Sequence, residues 1–478
     1  MSTSQRTLGQ RPLRSTPRSV VILAAGAVAS AVLAVGLPDT TWARWAVALA
    51  IAVTLLLVAL EDADDGILAV LGYLLVLGLV RRLVSMVLPD PSDDPLLLVG
   101  PSMAAAYAVM AVAAGALRRR TPLMLLSVAF VAMSALSVCN VLDVGVKANA
   151  RGLLFWTVPV LWFASGRLLA DAALVRRLAR LIAIIGTGSC LAGMYQVLVG
   201  LPAWDQQWFD ERGYEALGIY GFGTLHPFGW AVSHTEFAQV AGIVMVVTGL
   251  ELLDALRRHA RGAALLAGAA LAISTAALAL SAVRTAQLLT FAAVIVVVIA
   301  SGRVRARYAL GAVVLTALVL SVAVRVLDVE SWNVHGVPGL ARRSLLFVED
   351  PLGETSTIDE HVEITKHALG ELDERPLGRG PAYGVPRNAS DGTGFGAEND
   401  IGNAALAFGF VGLGLVLAVL VIGLQKAWRA ARARPDLVTL ATLGVLVLSL
   451  RYWWGGAHYS TAMLVWLLLG RIDRSDSS

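Results

Sequence analysis

Arg81, Arg82, Arg284, Arg325 and Arg451 each fall toward one end of an apolar run, and His226, His234, Glu236 and His458 fall at a similar depth. A charge at the centre of a membrane helix costs roughly 2.5–3.5 kcal/mol on insertion scales, so charges that persist there usually line a polar cavity. A single arginine near an interface reaches headgroups by snorkelling. Five at one level argue for a shared anion. Guanidinium keeps its charge and presents a planar fork that suits phosphate oxygens. A lipid-carried diphosphate lies at headgroup depth, where these residues fall, so the expected chemistry is recognition of a lipid phosphate or pyrophosphate.

Other chemistries find little support. Asp62-Ala63-Asp64 imitates the Asp-x-Asp of nucleotide-sugar transferases, but it sits in a short loop with no domain around it and reads as a solvated acidic turn. There is no phosphate loop, dinucleotide fingerprint, His-Glu-x-x-His or Cys/His metal spacing. Cys139 and Cys190 have no partner spacing, so neither a disulfide nor a metal is expected. No cofactor is implied. The glycines of 412–416 read as helix packing, where small residues let backbones approach.

The elements that must position these residues are set by composition. The 478 residues are 57% hydrophobic and 15% charged, against about 25% charged in soluble domains. The apolar residues come in runs of about 17–25, the length that crosses a bilayer as a helix. Fourteen such runs lie near 20–37, 45–60, 67–88, 97–116, 122–139, 151–165, 178–199, 232–253, 263–281, 286–300, 308–327, 401–423, 437–453 and 457–469. With the N-terminus inside, 23 of the 38 basic residues fall in inward segments, as the positive-inside rule requires. The expectation is an all-α polytopic membrane protein with both termini cytoplasmic. The net charge of +4 is spread over short loops, which argues against nucleic-acid binding. Two outward segments are long, 200–231 and 328–400, and long loops are usually functional. Within the second, Ile358, Val362, Thr365, Leu369 and Leu372 step by four, three, four and three, which predicts one apolar face of a helix opposite Glu360, Glu363, His367 and Glu371.

Three segments resemble the O-antigen ligase and polymerase family. LSAVRTAQLLTFAAVIV (280–296) is similar to its Ser-x-Ser-Arg-Thr/Gly-Ala hairpin, with Arg284 on the motif arginine and Val283 where serine is usual. In 361–384, Pro376, Leu377, Gly378 and Gly380 fit its Pro-Leu-x-Gly-x-Gly, while His361 and Thr365 replace an arginine and a tryptophan. In ENDIGNAALAFGFVGLGL (398–415), Asn399, Gly409 and Gly412 fit, and Glu398 takes the place of a histidine. The stretch before His226 and Pro227 is more weakly similar to a Gly-Thr-Phe-x-x-Pro-Asn pattern.

The resemblance divides the chain into a cytoplasmic tail (1–19), N-terminal transmembrane helices (20–262), a ligase-like region (263–424) holding the outward loop 328–400, and C-terminal helices with a tail (425–478). It implies a GT-C-like fold and a metal-independent, inverting glycosyl transfer outside a bacterial plasma membrane. The donor is a polyprenyl-diphosphate-linked glycan and the acceptor a glycan or a lipid. Arg284 carries over as the diphosphate contact and Glu398 as the base, since a carboxylate raised by burial can do that work. Arg81, Arg82, Arg325, Arg451, His226 and Asn399 are the expected substrate-binding residues. A transporter or flippase of the same lipids, or a non-catalytic assembly partner, remains the alternative.

Overall fold

The computed structural model describes residues 17–36, 41–88, 94–140, 145–212, 218–219, 224–302, 358–383, 399–455 and 458–475. They form α1 (Pro17–Gly36), α2 (Thr41–Glu61), α3 (Ala63–Ser85), a 3₁₀ turn (Pro95–Leu98) leading into α4 (Val99–Ala113), α5 (Pro122–Ser137), α6 (Val146–Leu169), α7 (Ala172–Leu198) and α8 (Ala203–Arg212). After these come α9 (His234–Arg257), α10 (Arg261–Leu280), α11 (Arg284–Ala300), α12 (Ile358–Glu374), α13 (Asp400–Ala433), α14 (Leu437–Leu448) and α15 (Tyr459–Ser475). Gly218–Ile219 pairs antiparallel with Thr224–Leu225 over two residues. Among the described residues nine helices are long and apolar enough to cross a membrane, and α5, α11 and α14 are shorter apolar helices. The chain is a multi-pass α-helical membrane protein.

Each apolar run other than 308–327, which lies outside the described residues, falls on a helix. Side chains that satisfy first-turn amides mark many of the starts. Thr121 ahead of Pro122, Asp171, Ser233, Asn399 and Asp436 all accept from an amide two or three residues on. Asp62 does the same for α3, taking the amides of Asp64 and Asp65 at 2.9 and 3.0 Å. The acidic turn is thus a helix cap, and it is not solvated: Asp64 and Asp65 are buried, with Asp65 paired to Arg177.

Close packing uses glycine where backbones meet. A Cβ at Gly166 of α6 would stand 2.1 Å from the Leu467 carbonyl of α15, and one at Gly470 would stand 2.2 Å from that of Phe163. The expected packing role of 412–416 is not what the structure shows, since Gly414 faces open space and Gly412 leaves room for Phe408 of its own helix. The reason is a break in α13 at Gly409, whose φ of 62° and ψ of −151° are non-helical.

The break is filled by the turn after α12. The amides of Arg379 and Gly380 donate to the carbonyls of Leu406 and Ala407 at 2.8 and 2.9 Å, and Phe410 donates to the carbonyl of Pro376 at 3.0 Å. Non-helical backbone at membrane depth survives only where protein supplies such partners. The same turn is held by Asn140, which donates to the Gly378 carbonyl at 3.0 Å, and by Asn149, which accepts from the Ala382 amide at 3.2 Å. On α12 the packed face differs from the expected one. Ala368 and Leu372 are buried, Ile364 packs beside them, and Val362 and Leu369 are exposed. Glu371, expected on the outer face, pairs with Arg379 at 2.6 Å.

Candidate functional site

Hydrogen bonds bring the ends of α3, α7, α9, α10, α11, α13, α14 and α15 together at one end of the bundle. This end collects most of the residues singled out in the sequence. Arg81 and Arg82 are both there, and both are engaged internally. Arg81 pairs with Asp94 at 2.5 Å, and Arg44 of α2 grips the same carboxylate with two nitrogens at 3.1 Å while also donating to Ser85. Burial alone would lift the Asp94 carboxyl, but Arg81 beside it and the Arg44 hydrogen bonds outweigh that and hold it below the usual range. Arg82 pairs with Asp205 of α8 at 2.6 Å and donates to the carbonyls of Gly229 and Ala231. Its guanidinium also lies over the Phe228 ring, 4.7 Å from the centroid. Burial pushes the Asp205 carboxyl up, against the pull of Arg82 and a hydrogen bond from Gln196. These two arginines therefore fasten Asp94, Asp205 and the stretch 229–231 onto the helices.

A different cleft opens between the ends of α9, α11 and α14. It is a small, partly open groove lined by Thr235, Val283, Thr285, Leu289, Arg451 and Tyr452 among others. Arg451, just beyond α14, donates to the Thr285 hydroxyl at 2.6 Å and lies over the Tyr452 ring. Thr285 follows Arg284 at the start of α11, where no side chain caps the helix. First-turn amides that lack a cap make a helix start attractive to anions. One wall of the cleft is thus cationic and rich in donors, while Val283, Ala286, Leu289 and Leu448 make the rest apolar.

Histidines gather at the same end. His226 donates from Nδ1 to the Ser281 carbonyl at 2.7 Å, and its ring stacks on His234 at 4.7 Å. His458 stacks on Tyr452 at 4.1 Å, and its Nε2 lies 3.3 Å from the Thr235 hydroxyl. Arg451 is near enough to act electrostatically on His234 and His458. Glu236 is buried and accepts from the amide and hydroxyl of Ser460 at 3.0 and 2.6 Å, which ties α9 to α15. No three His, Cys, Asp or Glu side chains among the described residues stand together as a metal site.

Asn399 caps α13 through the Gly402 amide at 2.8 Å and donates to Thr365 of α12 at 3.1 Å. The next residue, Asp400, donates its amide to the Arg451 carbonyl at 3.0 Å and accepts from the Trp454 amide at 2.8 Å. Glu398 and Arg325 lie outside the described residues. Of the expected residues, Arg451 lines the cleft, Arg284 lies between two of its lining residues in the chain, His226 binds Ser281 at the same end, Asn399 caps α13 beside it, and Arg81 and Arg82 are engaged in buried ion pairs.

Sequence reasoning missed Asp94, Asp205 and Arg44, because carboxylates in loops carry no mark of the distant arginine they will meet. It also missed Thr235 and Thr285, whose hydroxyls are unremarkable until the helix starts converge. The opposite end of the bundle holds a buried charge cluster as well: Asp473 is paired with Arg167 and Lys426, at 3.5 and 3.2 Å, and with the Thr121 hydroxyl. Buried charge is thus present at both ends, not one. The sequence matches no family model, and no curated protein matches it.

Proposed function

We propose that the chain is a membrane glycosyltransferase that ligates or polymerises polyprenyl-diphosphate-linked glycans at the outer face of a bacterial plasma membrane. The observation that carries this reading is the cleft itself. Arg451, bonded to Thr285 at the uncapped start of α11 and one residue from Arg284, faces a wall of Val283, Ala286, Leu289 and Leu448. An anionic head on an apolar chain fits such a division. The positive-inside rule puts this end of the bundle outside and both termini in the cytoplasm. A GT-C-like architecture and the residue assignments of the O-antigen ligase family belong to the same proposal.

In this reading Arg284 and Arg451 hold the diphosphate and steady it as the leaving group. An acceptor hydroxyl gives up its proton and attacks the anomeric carbon from the opposite side. The family resemblance assigns the proton to Glu398, two residues before Asp400. The test uses purified protein in nanodiscs with a fluorescent polyprenyl-diphosphate oligosaccharide. Charge-assisted hydrogen bonds contribute about 1.5–3 kcal/mol each. R284A and R451A are therefore each expected to weaken donor binding by roughly 10–100-fold. A ladder of products indicates a polymerase and a single added block a ligase. Donor affinity unchanged in both variants would remove the diphosphate site and the proposal with it.

A second reading is a carrier of the same lipids. Buried charge at both ends and a helix broken at Gly409 favour it, since transporters use discontinuous helices at their binding sites. Movement of the labelled lipid across proteoliposomes without any glycan product would select it.

A further inference from the structure

The transfer requires a group that takes the acceptor's proton, and the cleft contains one that the family resemblance does not assign. Thr235 sits at the start of α9 and lines the cleft together with Arg451 and Tyr452. Its hydroxyl is 3.3 Å from Nε2 of His458 and 3.1 Å from the hydroxyl of Ser233. Ser233 accepts from the Glu236 amide at 3.2 Å, so its own hydroxyl proton is available for Thr235. With Ser233 as the donor of that pair, the Thr235 proton is available to His458 and a lone pair of Thr235 remains for an incoming group.

His458 is held for this role from several sides. It is 3% exposed, so bulk water does not compete for Nε2. Its ring lies on Tyr452, the neighbour of Arg451, at an interplanar angle of 18°. Nδ1 has no hydrogen-bond partner among the described residues. The relay takes the ring proton to be on Nδ1, so that the Nε2 lone pair faces the Thr235 hydroxyl; this tautomer is part of the proposal. Glu236 fixes the two segments relative to each other by binding Ser460, two residues after His458. Hydroxyl, imidazole and guanidinium therefore meet at one cleft, in the order nucleophile activation needs.

We propose that Thr235 and His458 form the proton relay of the transferase. The relay rests on the glycosyl-transfer reading and replaces Glu398 as the group that receives the proton. As the acceptor oxygen bonds to the anomeric carbon, its proton passes to Oγ1 of Thr235 and the Thr235 proton passes to Nε2 of His458. The bond from the anomeric carbon to the diphosphate oxygen breaks, and its electron pair leaves with the diphosphate. No oxidant or metal enters the balance. A separation of 3.3 Å is long for proton transfer, and catalytic hydrogen bonds commonly tighten once substrate is bound.

Thr235 is the catalytic residue here, and His458, acting through it, is a positioning and proton-storing residue. The experiment measures donor affinity and single-turnover transfer separately, in nanodiscs, with the same labelled polyprenyl-diphosphate oligosaccharide. T235V and H458Q are expected to bind donor within twofold of wild type and to transfer at least 100-fold more slowly. T235S, which restores the hydroxyl, is expected to stay within tenfold of wild type. Transfer at the wild-type rate in T235V or H458Q with donor bound would overturn the relay, as would a loss confined to E398Q. A wild-type protein that does not bind the donor would instead overturn the glycosyl-transfer reading on which the relay stands, a result that the affinity measurement shows by itself.

Discussion

At the scale of the residue, the contrast between Arg81 and Arg451 decides how embedded charge is read. Both are arginines near a helix end at the same end of the bundle, yet Arg81 shares the Asp94 carboxylate with Arg44 while Arg451 faces a cleft through the Thr285 hydroxyl. Taking one partner from a buried ion pair strands the other charge, at about 3–5 kcal/mol. D94N should therefore destabilise the protein by that amount at neutral pH, because two buried guanidinium groups lose their counter-ion. The pH dependence follows from the direction of the shift. Asp94 is held below the usual carboxylate range in the folded state, so its contribution is present above the unfolded pKa and is lost as pH falls through the folded value. Thermal unfolding in detergent from pH 7 down to pH 3 should show wild type losing stability toward that of D94N, with the gap between them closing. A constant gap would mean that Asp94 does not titrate with folding. Nothing in the sequence near Asp94 announces this role; an Asp beside prolines reads as a turn, and only the fold supplies Arg44 from a helix 50 residues away.

At the scale of the element, helices were readable from composition and their faces were not. On α12 the apolar spacing of Val362 and Leu369 is regular, but the helix turns Ala368, Ile364 and Leu372 inward, because its docking is fixed by polar anchors at its middle and just past its C-terminal end. Asn399 binds Thr365, and the turn from Pro376 to Gly380 plugs the break in α13. The glycines of that plug were legible as a motif, and their purpose was not. At Gly409 a side chain would meet the Pro376 carbonyl at 2.0 Å, in a backbone conformation closed to other residues. Holding a residue there costs about 1–3 kcal/mol before any clash is counted. G409A should lower the melting temperature and loosen α12, read as faster proteolysis within 358–383. G414A, five residues along the same helix and facing open space, should be neutral or stabilising by up to about 1 kcal/mol. Equal effects of the two substitutions would show that the plugged break is not a special position.

At the scale of the whole molecule, hydrophobic runs located every described span because lipid imposes the same requirement on each, that backbone groups be satisfied within the helix. What they left open is which spans touch and which way the bundle faces. Contacts come from details such as Gly166 against Leu467, which no composition reveals. Orientation rests on loop charge, and the chain carries its own reporter for it. Cys139 is exposed just beyond the end of α5, and Asn140 beside it binds the turn at Gly378, so Cys139 belongs to the end of the bundle that holds the cleft. Cys190 is buried within α7. A membrane-impermeant maleimide added to intact cells should therefore label the protein once, at Cys139, and C139S should abolish the signal. Labelling that appears only after the membrane is permeabilised would turn the molecule over. The cleft of Arg451 and Thr235 would then open to the cytoplasm, where a glycan chain already carried outside cannot reach it, and the carrier reading would gain over the transferase.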